Sequence, residues 1–383
     1  QLPLGSMEDL NIEATSAASL NNTSFVALET KDQWNGTEIQ DSQFRHVIRM
    51  LDYYIVPIIV VVGLAGNSLS CVAFLMTSLK TLSSSVYLAS LAVADSGFLI
   101  CVLFSWSTNL GIGLYNMPFG CQFFTFSSYV FSFLSVWLVV GFTVERYIAT
   151  CFPFKRNEMC TPRRAKLVVA ALTTLAGLIY SYALWTSSVQ SMYGMQLCLP
   201  VTRYIDFLKL MVNIDTTLTF VIPFLTIFIL NVRIVCAVTK IKQQHIQVTA
   251  IQDSPTAPSF SQNRIHTKVT TMLLVVSTSF LLLNLPKHIL HILSMDFLSH
   301  LVLKSTDYSA IEKLVTYIFY LNFSINFFLY SLCGKNFRVA LRILFKRKRK
   351  LKKRCRRQKG TNDTSLNKSF NSLTNNLTNA TAV

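Results

Sequence analysis

The chain has 383 residues, 51% of them hydrophobic and only 14% charged, with a formal charge of +17. Soluble domains carry about 25% charged residues, so an ordinary water-soluble domain is excluded. The nine cysteines are scattered, which excludes a small scaffold built on disulfides.

The apolar excess comes in blocks. Residues 1–52 are rich in Ser, Thr, Asn and acid, with 8 acids against 3 Lys or Arg. They lack apolar periodicity and are expected to be disordered. Asn21, Asn22 and Asn35 each open an N-x-[ST] sequon, an acceptor for glycosylation on a luminal face. Gln1–Ser6 precede Met7 and read as a cloning remnant. No signal peptide is visible, and the first span is expected to serve as the insertion signal.

Seven stretches are then long and apolar enough to cross a bilayer: Tyr53–Leu79, Ser85–Asn109, Gln122–Val144, Leu167–Val189, Leu210–Val238, Val269–Met295 and Leu314–Cys333. Lys and Arg gather in the loops after the first, third and fifth of these, and in 335–359, which holds 14 Lys or Arg and no acid. The positive-inside bias places the N-terminus outside and the C-terminus in the cytoplasm. The expected fold is an all-α membrane protein, a seven-transmembrane helix bundle over 53–334, with a short amphipathic helix after the seventh span. That helix and a polybasic segment fill 335–359, and 360–383 is a disordered tail. The basic segment suits anionic membrane lipids, with nucleic acid as the lesser alternative.

On this topology Cys121 and Cys198 are the pair on the outer side, which predicts a disulfide between the top of the third span and the loop after the fourth. The other spans' cysteines read as buried free thiols.

Polar groups inside a bilayer are expensive and mark function. Asp95 lies midway along the second span, Asn67 in the first, Ser135 in the third, and Asn322 and Asn326 on one face of the seventh. Each alone could be a packing hydrogen bond. Together they could surround a single carboxylate and hold a small hard cation through oxygen ligands. An ion path through a seven-span transporter or channel is the rival use of the same cluster. No spacing of His, Asp and Glu suggests an enzyme.

The chain here resembles the rhodopsin-like G-protein-coupled receptors. Asn67, Asp95, Cys121, Glu145-Arg146-Tyr147, Pro223, Pro286, Asn326 with Tyr330, and Phe337-Arg338 fall in family order. The resemblance implies that Glu145, Arg146, Tyr147, Asn326 and Tyr330 serve activation of a heterotrimeric G protein. It also implies that an allosteric sodium ion held by Asp95, Ser135, Asn322 and Asn326 favours the inactive state; no other cofactor is implied. Several positions depart from the family. Asn284 replaces the sixth-helix tryptophan, Phe327 the seventh-helix proline, Thr173 the fourth-helix tryptophan and Asn231 the fifth-helix tyrosine, while His266 stands where an acid is common. Asn284 is expected to join the Asp95 cluster. The segment around Glu145-Arg146-Tyr147 is similar to the neuropeptide branch, as in thyrotropin-releasing-hormone, FMRFamide and CNMamide-type receptors.

Ser128 stands where amine receptors carry an aspartate, and Tyr320 where opsins carry a lysine, so both ligand classes are disfavoured. Asn284, Lys287, His288 and His291 share a helix face, with Asp215 on the fifth span and Trp106, Tyr129 and Glu312 as wall or rim. That set suits an extracellular peptide ligand with a polar or amidated end. For the histidines the plain alternative is packing, and for Lys287 it is snorkelling. Residues 239–268 read as a flexible linker, Cys355 as a palmitoylation site or an inert thiol, and the tail hydroxyls as phosphosites for an arrestin-like protein or as a solvated tail. Thr381-Ala382-Val383 matches a PDZ-domain ligand, a pattern short enough to arise by chance. The expected location is the plasma membrane, multi-pass.

Overall fold

The computed structural model describes the backbone of residues 31–192, 195–251, 274–290 and 305–346. The first helix runs Lys31–Met76, the second Ser83–Ser107, the third Pro118–Cys151 and the fourth Pro162–Tyr180. A hairpin follows, β1 Ser187–Met192 against β2 Met195–Pro200, antiparallel with Val189 opposite Cys198. The fifth helix begins at Ile205 and runs through Ile251, with a π turn at Thr217–Val221. The sixth is described over Leu274–Leu290. The seventh is broken into Ser305–Ser324 and Asn326–Cys333, and a last helix covers 335–346.

Local chemistry explains the ends. Proline opens the third and fourth helices, where its missing N–H costs nothing. Thr161 caps the fourth by accepting from the Arg164 N–H. Gly111 takes a φ of 76° to close the turn after the second helix, a conformation that a side chain resists. Pro223 cannot donate to the ladder, and the π turn just before it absorbs the mismatch. The Trp137 indole N–H bonds the Leu218 carbonyl inside that turn at 3.1 Å.

Among the described residues five helices are apolar and long enough to span a bilayer, the two pieces of the seventh make a sixth span bent by 52°, and Leu274–Leu290 is a shorter apolar helix. The core has two parts. A large inner cluster joins Phe74, Tyr87, Leu91, Leu138, Ile227, Ile234, Val276, Tyr330 and Phe337. A smaller outer one joins the first, second and seventh helices through Val56, Ile59, Phe98, Leu99, Tyr317, Phe319 and Phe323. Phe98 and Phe323 stack at 3.9 Å.

Three expectations change. The fourth span does not reach Val189, because the chain turns to strand at Ser187, where alternating side chains let the hairpin close its own backbone bonds. The first helix starts at Lys31, so part of the N-terminal segment expected to be disordered, Asn35 included, is helical. The fifth helix continues through the first part of the expected linker as far as Ile251. Its polar residues there sustain a helix beyond the apolar stretch. Asn21, Asn22, His266, His291, Cys355 and the tail lie outside the described residues.

Candidate functional site

Three groups of polar residues line the bundle at different depths: midway, toward the hairpin end, which is the outer end on the expected topology, and toward the opposite, inner end. Midway, Asp95 is fully buried. The Ser135 hydroxyl donates to Asp95 Oδ1 at 2.7 Å, and Asn326 Nδ2 donates to Oδ2 at 2.8 Å. Asn326 also reaches the Asn322 carbonyl at 3.4 Å. Both carboxylate oxygens are therefore held, one from the third helix and one from the seventh. A carboxylate has about four lone-pair sites, so these two donors leave acceptor capacity facing Ser135 and the asparagines. Asn67 belongs to the same layer and donates to the Phe323 carbonyl at 2.9 Å. Asn284 does not join this cluster. It is buried, and its Nδ2 donates to the Phe280 carbonyl one turn back on its own helix at 2.7 Å.

Toward the outer end, Cys121 and Cys198 are bridged, with Cα atoms 5.4 Å apart. The bridge pins β2 to the start of the third helix, and the Cys198 N–H bonds Asn116 Oδ1 at 3.3 Å. Below the hairpin, Asp215 is buried and accepts a short hydrogen bond from the Tyr180 hydroxyl. Tyr129 stacks on Tyr180 at 5.5 Å with rings nearly parallel. The Lys287 ammonium stands 4.3 Å from the centre of the Phe319 ring, a cation–π distance, and interacts with the carboxylates of Glu312 and Asp215. His288 is buried and stacks on Phe220 at 4.4 Å, so its ring is engaged in packing. Ser128 donates to the Thr125 carbonyl of its own helix at 2.8 Å. Tyr320 lies beside Phe98 at 6.1 Å. Trp106 is turned toward the first helix: its indole N–H bonds the Asp52 carbonyl at 3.2 Å.

That bond belongs to a network the sequence reading missed. Asp52 pairs with Lys313 at 3.2 Å and accepts from the Tyr317 hydroxyl at 3.0 Å. It ties the outer ends of the first, second and seventh helices. An acid just before an apolar run was its only signal.

At the inner end, Arg146 lies 3.6 Å from Glu145 and 5.5 Å from the Phe142 ring centre. Its Nε is buried and makes no hydrogen bond among the described residues. Tyr147 meets Phe152 edge-on at 5.7 Å. Tyr330 is buried between Phe74 and Phe337, at 5.5 and 5.6 Å. Asn231, in the place of the family's tyrosine, exchanges two hydrogen bonds with Ser277, at 2.8 and 3.2 Å, joining the fifth helix to the sixth. Phe154 was also missed. It is 98% exposed on a short helix, Pro153–Met159, just past the Glu145-Arg146-Tyr147 triplet. An apolar residue directly after Pro153 was the available clue.

Residues 66–330 match the family described as 7 transmembrane receptor (rhodopsin family), and the chain belongs to it. It is a G-protein-coupled receptor of the rhodopsin class, not an enzyme, and nothing supports the transporter reading. Among its relatives, cysteinyl leukotriene receptor 2 of Mus musculus is 26% identical over 298 residues, 74% of this chain and 87% of that one. The FMRFamide receptor of Drosophila melanogaster is 26% identical over 328 residues, 77% of this chain and 54% of that one. The human (Homo sapiens) thyrotropin-releasing hormone receptor is 30% identical over 165 residues, 41% of this chain and 40% of that one.

Proposed function

We propose that this receptor sits in the plasma membrane with its N-terminus outside, binds a short peptide with a polar or amidated end, and activates a heterotrimeric G protein. The observation that carries the ligand reading is the outer charged group. Asp215, Lys287 and Glu312 bring both signs of charge from the fifth, sixth and seventh helices into an aromatic surround. Such a set can hold the amides and charged ends of a peptide, while the rings take apolar side chains. Two relatives are named for peptides, FMRFamide and thyrotropin-releasing hormone.

Inside the cell, Arg146 and the exposed ring of Phe154 form the surface offered to the G protein. The oxygen atoms of Asp95, Ser135, Asn322 and Asn326 suit a sodium ion, a hard monovalent cation that would neutralise the carboxylate and favour the inactive state. The 335–346 helix carries exposed Val339, Ile343 and Phe345 among Lys and Arg, the composition of a helix resting on anionic lipid. Glycosylation at Asn21, Asn22 and Asn35, palmitoylation at Cys355, capture of a phosphorylated tail by an arrestin-like protein and PDZ binding by Thr381-Ala382-Val383 complete the proposal.

The test is a cellular screen. Calcium and cAMP responses are recorded for amidated short peptides and, in a separate arm, for a cysteinyl leukotriene. A saturable response to a peptide that is absent from untransfected cells supports the reading. A response to the leukotriene alone overturns the peptide assignment and leaves the receptor class intact.

A further inference from the structure

The seventh helix bends by 52° between Ala310–Ser324 and Asn326–Cys333. Sharp bends in helices have identifiable causes: proline, glycine or serine, a π turn, or a side chain inserted in the ladder. No proline stands here, where the sequence reads Asn326-Phe327-Phe328-Leu329-Tyr330, and the one serine at the break, Ser324, gives its hydroxyl to the Leu321 carbonyl at 3.1 Å, within the upper piece. The backbone bonds across the break run from the Ile325 N–H to Leu321, and from the Phe328 and Leu329 N–H groups to Ile325. The Phe323 carbonyl, which a continuous helix would give to the Phe327 N–H, is instead taken by Asn67 Nδ2 at 2.9 Å. Asn67 is 1% exposed and comes from the first helix, so this is an insertion by a neighbour.

Two further contacts fix the same spot. A Cβ on Gly66 would lie 2.9 Å from the Phe327 Cβ, and one on Gly63 would lie 2.8 Å from the Ser324 Cβ. The first helix therefore presses its bare face against the break. Asn326 is held to Asp95 at 2.8 Å just beyond it. We infer that Asn67, seated by Gly63 and Gly66, is the positioning residue that imposes the seventh-helix bend in this receptor, standing in for the missing proline. The bend sets where Tyr330 is delivered, between Phe74 and Phe337. The inference is independent of which ligand the receptor takes.

The test reads the bend itself, in the full receptor in lipid nanodiscs. Spin labels are attached through ketone side chains introduced at Leu314 and Leu332, both exposed, so that the cysteines stay native. At about 1.5 Å of rise per residue, straightening the helix lengthens this distance by about 3 Å. Asn67→Ala is expected to show that lengthening. Adding Phe327→Pro, which breaks the ladder directly, is expected to return the native distance. A residue needed only for folding would not be rescued by a proline on another helix. Phe327→Pro alone is expected to leave the distance unchanged, although it loses a ring contact with Phe337. An unchanged distance in Asn67→Ala, or a double variant that stays long, overturns the inference. Should Asn67→Ala fail to accumulate, the single proline variant decides. A native distance supports the inference, and an altered distance or loss of the folded receptor shows that the Phe327 N–H is needed and overturns it.

Discussion

The middle and the outer end of the bundle handle polar side chains differently. Around Asp95 the polar groups bond chiefly to each other across helices: Ser135 from the third, Asn326 from the seventh, and Asn67 to the seventh-helix backbone. At the outer end the polar residues lean on aromatic rings and backbone as well as on each other, with Lys287 also coupled to Glu312 and Asp215. Asp215 holds Tyr180, Lys287 sits over Phe319, His288 stacks on Phe220 and Trp106 bonds the first helix. The difference follows depth. In the apolar middle no water can satisfy a donor, so the polar residues must find one another. Toward that end aromatic rings offer polar and charged groups an additional kind of partner.

That contrast can be broken from either side. The largest effect is expected at the disulfide, which holds the outer end together. Replacing Cys121 or Cys198 by serine should cost about 2–5 kcal/mol and remove folded receptor from the cell surface, read by surface labelling of intact cells. Next comes the middle. Asp95→Leu leaves the Ser135 and Asn326 donors buried without an acceptor, at about 1–3 kcal/mol each, and should lower the unfolding temperature of purified receptor. Asp95→Asn, which keeps the shape, should cost less and abolish any dependence of ligand affinity on sodium. A sodium response that persists in Asp95→Asn would remove the ion from this site.

A smaller effect is expected from Tyr180→Phe. Losing a hydrogen bond to a charged group costs about 1.5–3 kcal/mol, here the bond that Tyr180 gives Asp215. If the outer partnerships are separate, combining it with Trp106→Phe should give additive losses in stability, since distant sites usually add within about 0.5 kcal/mol. Strong coupling between them would merge the outer residues into one cluster. The smallest effect is at the inner end. Asn231→Ala or Ser277→Ala removes the tie between the fifth and sixth helices. Losing a net interaction of about 1 kcal/mol should raise ligand-free nucleotide exchange by roughly fivefold where that tie holds the helices closed.

The same contrast explains what was legible in the sequence. Asp95, Ser135, Asn322 and Asn326 could be read as one cluster because a polar residue in a long apolar run has few places to go. Cys121 and Cys198 followed from topology, since the charge bias leaves them together on one side. Asn284 misled for a local reason: its amide donates to the turn behind it, at the Phe280 carbonyl, rather than to the Asp95 cluster. The Asp52–Lys313–Tyr317 network left only the faint signal of an acid before an apolar run, because its members lie far apart in the chain and sit at span ends, where charges are ordinary. The hairpin was hidden because apolar Val189 counts as the end of the fourth span, whereas it pairs as strand opposite Cys198. The extensions of the first and fifth helices lie in polar sequence, where hydropathy carries no signal.

In the proposed mechanism the partly exposed Arg146 at the inner end turns ligand capture into nucleotide exchange. The most direct measurement uses membranes carrying native receptor or Arg146→Ala at equal surface expression, with the peptide that emerges from the screen. Peptide affinity is expected to stay unchanged within about threefold, under about 0.7 kcal/mol, together with near-complete loss of peptide-stimulated GTP-analogue loading by the G protein. Full loading by the Arg146→Ala receptor would contradict that mechanism.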